Sequence, residues 1–144
     1  MKSVNQPDEK KTDPRGWLKW LLENRGYTVS EKVKVAGRSG AEHILDLYAH
    51  KDDGVINHKV AACVIMNEDV FNNDVNEVMQ FDTAAYDASI RDKVLVSTLA
   101  LSKEARQFAE YQRIKIIDAK ELVALSRRQV TADAARDLGV LSKN

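Results

Sequence analysis

The sequence predicts an α/β fold: a mixed sheet with helices on both sides, in the order α-β-β-β-α-β-α-β-α. Three observations predict it. Capping residues stand ahead of apolar stripes at helical spacing, near residues 13, 74, 102 and 118. Three β-rich runs succeed one another between residues 27 and 66 with glycine-bearing turns between them, as in a meander. Two later β-rich runs enclose a helical segment, and such a crossover makes parallel neighbours.

Each element has its own signal. Thr12 or Asp13 can cap the first helix, and Pro14 suits the first turn, where a missing N–H costs little. Trp17, Leu18, Leu21 and Leu22 form its apolar stripe, and Gly26 ends it. Residues 27–36, YTVSEKVKVA, set Val29, Glu31, Val33 and Val35 against Lys32 and Lys34, a half-exposed strand. A loop with Gly37 and Gly40 leads to a second strand over about 42–50. KDDG at 51–54 is a tight turn, and VINHKVAACVIM is a third strand with a nearly continuous apolar end. The centre of the sheet is expected near this strand.

Asp74 and Glu77 resemble a capping box. Val75, Val78, Met79, Ala85 and Tyr86 then share one face of a helix to about Ser89. KVLVST is a short strand, Ser102 caps a helix carrying Ala105, Phe108 and Ala109, and IKII is another buried strand. Asp118 and Glu121 start a helix through about Arg127. The reading therefore divides the chain into a polar tail (1–13), one domain (14–128) and a tail or short helix (129–144).

At 144 residues the chain is long enough for one core of its own. A lone Cys63 in an apolar run excludes a disulfide framework and fits a reducing cytoplasm. No window approaches the roughly 18 apolar residues of a membrane span, and MKSVNQPDEKKTDPR lacks the apolar centre of a signal peptide. Net charge is zero but unevenly spread. Residues 42–92 hold 11 acidic against 3 basic side chains, and basic sequence flanks them. Convergent flanks would offer a basic face to a polyanion; the alternative is a pair of solvated surfaces.

Catalytic motifs are sparse. No G-x-S-x-G, P-loop or G-x-G-x-x-G occurs. His43, His50 and His58 match no zinc-ligand spacing, and His43 and Asp46, three apart on a strand, are expected on opposite faces. Trp17 and Trp20 belong to the first helix, with Trp17 on its apolar stripe, so neither is free to stack on a base.

Four stretches carry a resemblance: WLLENRGYTV, then GRSGAEHILDLYA, VNEVMQF, and KVLVSTLALSKEARQFAEYQRIKIIDAKEL. Together they resemble the Mrr-like branch of the restriction-endonuclease-like nucleases, the PD-(D/E)xK superfamily, over about residues 15–125. The resemblance implies a restriction-endonuclease-like three-layer sandwich. In that family an aspartate on strand two and a Glu-x-Lys on strand three meet at one sheet edge. The carboxylates fix magnesium, a hard cation that prefers oxygen ligands, and the lysine helps activate water against a phosphodiester. By resemblance Asp46 takes the catalytic and metal-binding role, with Glu42 assisting.

Strand three departs from the pattern, for it reads VAACVIM. Aligned on Cys63, Ala62 stands for the glutamate and Val64 for the lysine; sliding the register gives Val64 and Met66. Such a strand implies a catalytically degenerate domain that needs no cofactor and binds DNA or a protein partner without cleaving. Two alternatives stand beside it. One is an active magnesium-dependent deoxyribonuclease that borrows a ligand from Glu68, Asp69 or Glu77. The other is a homodimeric assembly module built on the acidic block. Lys32, Lys34, Arg38, Arg127 and Arg128 are candidate phosphate contacts, with plain surface solubility as the competing account.

Overall fold

Asp13 accepts a hydrogen bond from the Gly16 N–H at 3.1 Å, and Pro14 occupies the first turn of α1 (Pro14–Asn24). A computed structural model describes residues 13–66, 74–98 and 100–137. Gly26, at a φ of 92°, turns the chain out of α1 into β1 (Thr28–Ala36). Next come β2 (Glu42–Asp52), β3 (Asn57–Ile65), α2 (Asp74–Asp87), β4 (Asp92–Ser97), α3 (Lys103–Tyr111), β5 (Lys115–Asp118) and α4 (Ala119–Asp137).

The element order is the expected one. The five strands lie in the order β1-β2-β3-β4-β5, with β3 at the centre. β1, β2 and β3 form the antiparallel meander, while β3–β4 and β4–β5 are parallel. One face packs under α2 and α3, through Leu45, Ala61, Cys63, Ile65 and Leu95. The other packs under α1 and α4, through Leu47, Ala62, Val64, Val96 and Ile117. The result is the three-layer sandwich. β3 sends side chains into both layers, which is why its sequence is apolar almost without interruption. Among the described residues no helix is long and apolar enough to cross a membrane.

Three details differ from expectation. The first is the facing of β1, which changes at Lys32, held at a φ of 46°. Val29 packs in the α1 layer and Glu31 binds Lys19 of α1 at 3.0 Å, whereas Val33 and Val35 pack in the α2 layer. β2 changes phase at the facing position: Leu45 belongs to the α2 layer and Leu47 to the α1 layer, with Tyr48 back in the first. Glu31 pairs with Leu47 and Val33 with Leu45, so Lys32 and Asp46 stand opposite each other at the kink.

The second concerns α2. Val78, Phe81, Ala84 and Ala85 are its buried residues, while Met79 and Tyr86 are exposed. The buried stripe runs 78, 81, 85, and each exposed residue is one position further on, about 100° around the helix. The third is α4, a single helix to Asp137 where a stop near Arg127 and then a tail or separate short helix were expected. No glycine or proline interrupts the sequence before Gly139.

Leu95 is fully buried at the centre of the sheet. Leu95→Ala should lower the unfolding free energy by about 2–5 kcal/mol. Ile44→Ala, at a position 68% exposed, should stay within about 0.5 kcal/mol of the parent. Urea unfolding of the two variants checks both values.

Candidate functional site

The candidate site exists because two strands part. β2 and β3 pair from Asp52–Asn57 to Leu47–Ala62, and there the pairing ends. One residue on, the Asp46 carboxylate accepts the Val64 N–H at 2.8 Å, standing in for the backbone carbonyl that no longer reaches. A half-buried carboxylate thus lies between the strands at the mouth of a cleft of about 360 Å³. Glu42 and Asp46 of β2, Cys63 of β3, and Glu77 and Gln80 of α2 line it.

The cleft corrects the expected register of strand three. Ala62 and Val64 face α1 and α4, on the other side of the sheet. The residues of β3 on the cleft side are Cys63 and Ile65, each 5% exposed. Burial pushes the Cys63 thiol well above its ordinary range, and the charges of Asp46 and Glu77 push it the same way against Arg15. It stays protonated, which makes it neither a nucleophile nor a good metal ligand. Glu42 and Glu77 are exposed at the rim. Among the described residues, no three His, Cys, Asp or Glu side chains are grouped so as to hold a metal ion. Glu68 and Asp69 lie outside the described residues. His43 borders the cleft together with Asp46, contrary to strict alternation, because the phase change falls at Asp46 itself.

The GRSG loop has a structural task. Asp87, at the end of α2, takes the Ser39 hydroxyl at 2.6 Å on Oδ2 and the Ser39 N–H at 3.0 Å on Oδ1. His43 Nε2 meets Oδ2 at 2.7 Å, and the Arg38 N–H donates to the Asp87 carbonyl at 2.8 Å. These bonds, from His43 first and Ser39 next, hold the Asp87 carboxyl down at about 2. A Cβ on Gly37 would sit 1.8 Å from Asp87 Oδ2, so any other residue there would push the Asp87 carboxylate out of these bonds. Sequence reasoning singled out the loop but missed Asp87. The available signal was an acidic side chain in the last turn of a helix, where the dipole disfavours it unless it has partners.

The candidate phosphate contacts occupy separate elements. Lys32 and Lys34 are exposed on the edge strand β1, and Arg127 and Arg128 are exposed on α4. Arg38 is engaged locally, its guanidinium 5.3 Å from the Tyr86 ring centroid and donating to the Tyr86 carbonyl at 3.3 Å.

Asp46→Ala should cost about 1–3 kcal/mol, because it leaves the Val64 N–H without its acceptor. Asp46→Asn, which keeps a carbonyl oxygen, should cost less in the same unfolding experiment. Asp87 contributes stability that is complete above the ordinary carboxylate value of about 3.9 and lost as pH falls through about 2. The gap in urea midpoint between the parent and Asp87→Asn should therefore begin to close only below about pH 4.

The crystal structure of AF1548, a protein of unknown function, shares this fold. It aligns with a TM-score of 0.61 at 17% identity, over 85% of this chain and 75% of that one. No curated protein matches the chain. A family model, Mrr_cat, described as restriction endonuclease, matches residues 15–126. The match takes in the whole sheet, the Asp46 cleft and the helices of both outer layers, and the chain belongs to this restriction endonuclease family.

Proposed function

We propose that this domain is a degenerate member of its family that binds DNA without cleaving it. The observation that carries the reading is the chemistry of β3 beside Asp46: the strand lends only Cys63 to the cleft lining, and Ile65 follows it in the same core layer. Magnesium-assisted hydrolysis needs several oxygen ligands and a group that orients and activates water. A protonated thiol and an aliphatic side chain provide none of these. One Asp46 oxygen is already occupied by the Val64 N–H. These residues do not fit the magnesium site that the family implies, and no step is routed through one. The reading places the domain in the cytoplasm, in keeping with its unpaired Cys63.

One observation favours a second reading. Glu42, Asp46 and Glu77 border the same cleft, so a shifted ligand set would have carboxylates to draw on. Calorimetric titration with magnesium and manganese, on the parent and on Asp46→Ala, separates the two. The degenerate domain should give no binding heat in either protein, and should leave duplex, single-stranded and branched DNA intact. Its affinity for duplex should fall steeply between about 50 and 200 mM salt. Metal-dependent cleavage that Asp46→Ala abolishes would overturn the proposal. A mass that rises with concentration, with no DNA binding, would instead identify a homodimeric assembly module.

A further inference from the structure

A second crevice opens further along the sheet edge that carries Asp46. β3, β4 and β5 are parallel, so their C-terminal ends meet one edge, with Ile65 beside Ser97 and Ser97 beside Asp118. The chain leaving β4 enters α3, which packs in the α2 layer. The chain leaving β5 enters α4, which packs in the opposite layer. Adjacent parallel strands whose connections depart to opposite faces leave a crevice beyond their carboxyl ends, and there open α/β sheets bind ligands. Here the crevice is about 380 Å³, and Thr98, Arg106, Asp118 and Lys120 are among its lining residues.

Its chemistry suits an anion. Arg106 and Lys120 are exposed and come from different helices. Arg106 is only loosely paired, 4.0 Å from Glu110. The Thr98 Oγ1 is buried and has no hydrogen-bond partner among the described residues, although the Thr98 N–H is fixed on the Ile65 carbonyl at 3.1 Å. The one acidic lining residue, Asp118, spends Oδ1 on capping α4 through the Glu121 N–H at 2.7 Å. Two long-armed cations and an unsatisfied hydroxyl at a strand switch make a better match to a phosphate than to a neutral ligand.

We propose that this crevice, between the starts of α3 and α4, is a phosphate-binding subsite, with Arg106, Lys120 and Thr98 holding one backbone phosphate of a nucleic acid. It rests on the reading of the domain as a DNA binder and gives that reading an anchor away from Asp46. The crevice lies two to three strand spacings from the Asp46 cleft, roughly 10–15 Å along the edge.

The test is fluorescence anisotropy of a labelled 20-base-pair duplex across a salt series. It compares the parent, Arg106→Gln/Lys120→Gln, Thr98→Val, and the control Lys59→Gln/Arg91→Gln. Lys59 and Arg91 line a separate crevice at the other end of the strands. Loss of one phosphate contact should flatten the slope of log affinity against log salt by about 0.9. Arg106→Gln/Lys120→Gln should show that loss and bind roughly tenfold more weakly at low salt, about what one charged contact supplies. The control should bind as the parent does. Thr98→Val should weaken binding without changing the slope. Parental affinity and slope in Arg106→Gln/Lys120→Gln overturn the subsite and leave DNA binding standing. If the parent does not bind the duplex, the DNA reading fails, and an amide NMR titration with inorganic phosphate at constant ionic strength decides the crevice alone. Shifts at Thr98 and Lys120 that vanish in Arg106→Gln/Lys120→Gln support a phosphate site, and no shifts overturn it.

Discussion

The bond from the Val64 N–H to the Asp46 carboxylate is the constraint on which the rest of the site depends. A sheet can open only where the backbone groups it abandons find other partners. β2 stays paired with β1 beyond the point where it leaves β3. At that point a side chain takes over the acceptor role that a main-chain carbonyl held one residue earlier. The cleft is the space this substitution creates. The architecture therefore asks for a side-chain acceptor at this spot, whatever chemistry the cleft performs, and the aspartate's presence alone is no sign of activity.

Electrostatics separates the two ends of the sheet edge. The acidic central segment folds into β2, β3 and α2, so the Asp46 cleft is bordered by Glu42 and Glu77 with no lysine or arginine among its lining residues. Without a divalent cation such a cleft repels a phosphodiester. The basic sequence beyond the acidic block supplies Arg106 and Lys120 to the crevice over β4 and β5. On the proposed reading, a polyanion meeting the bare protein would be drawn toward the crevice and away from the cleft. The lopsided charge of the chain has become a division of surface.

Element order was legible because caps and apolar periods agreed over most of the chain, from Asp13 and the α1 stripe to Ser102 at the start of α3. The phase change of β1 and β2 was not legible. It hangs on a positive φ at Lys32, a residue type that gives no local hint of that conformation. β3 added a second ambiguity. Burial on both faces removes the alternation from which a face could be read, so Ala62 and Val64 were as eligible for the cleft as Cys63 and Ile65. Asp87 needed tertiary information, since its partners Ser39 and His43 lie more than forty positions away. The sequence does show that no register of VAACVIM carries both a carboxylate and a lysine.

On the proposed reading, an apolar β3 in place of those ligands would have an energetic side. A charged pair at positions 63 and 65 would sit in the layer that holds Leu45, Leu95 and Val78, all essentially closed to water. Ionised groups in such a place are kept only if their geometry and hydrogen bonds offset desolvation, and packed apolar side chains in their stead are often more stable by about 1–4 kcal/mol. Cys63 extends the core into the floor of the cleft, with Ile65 buried behind it in the same layer. On the proposed degenerate reading, such an exchange would favour folding at the expense of metal chemistry and would leave untouched the crevice over β4 and β5. A domain that lost hydrolysis in this way would keep, or even steady, the surface by which it holds a phosphate.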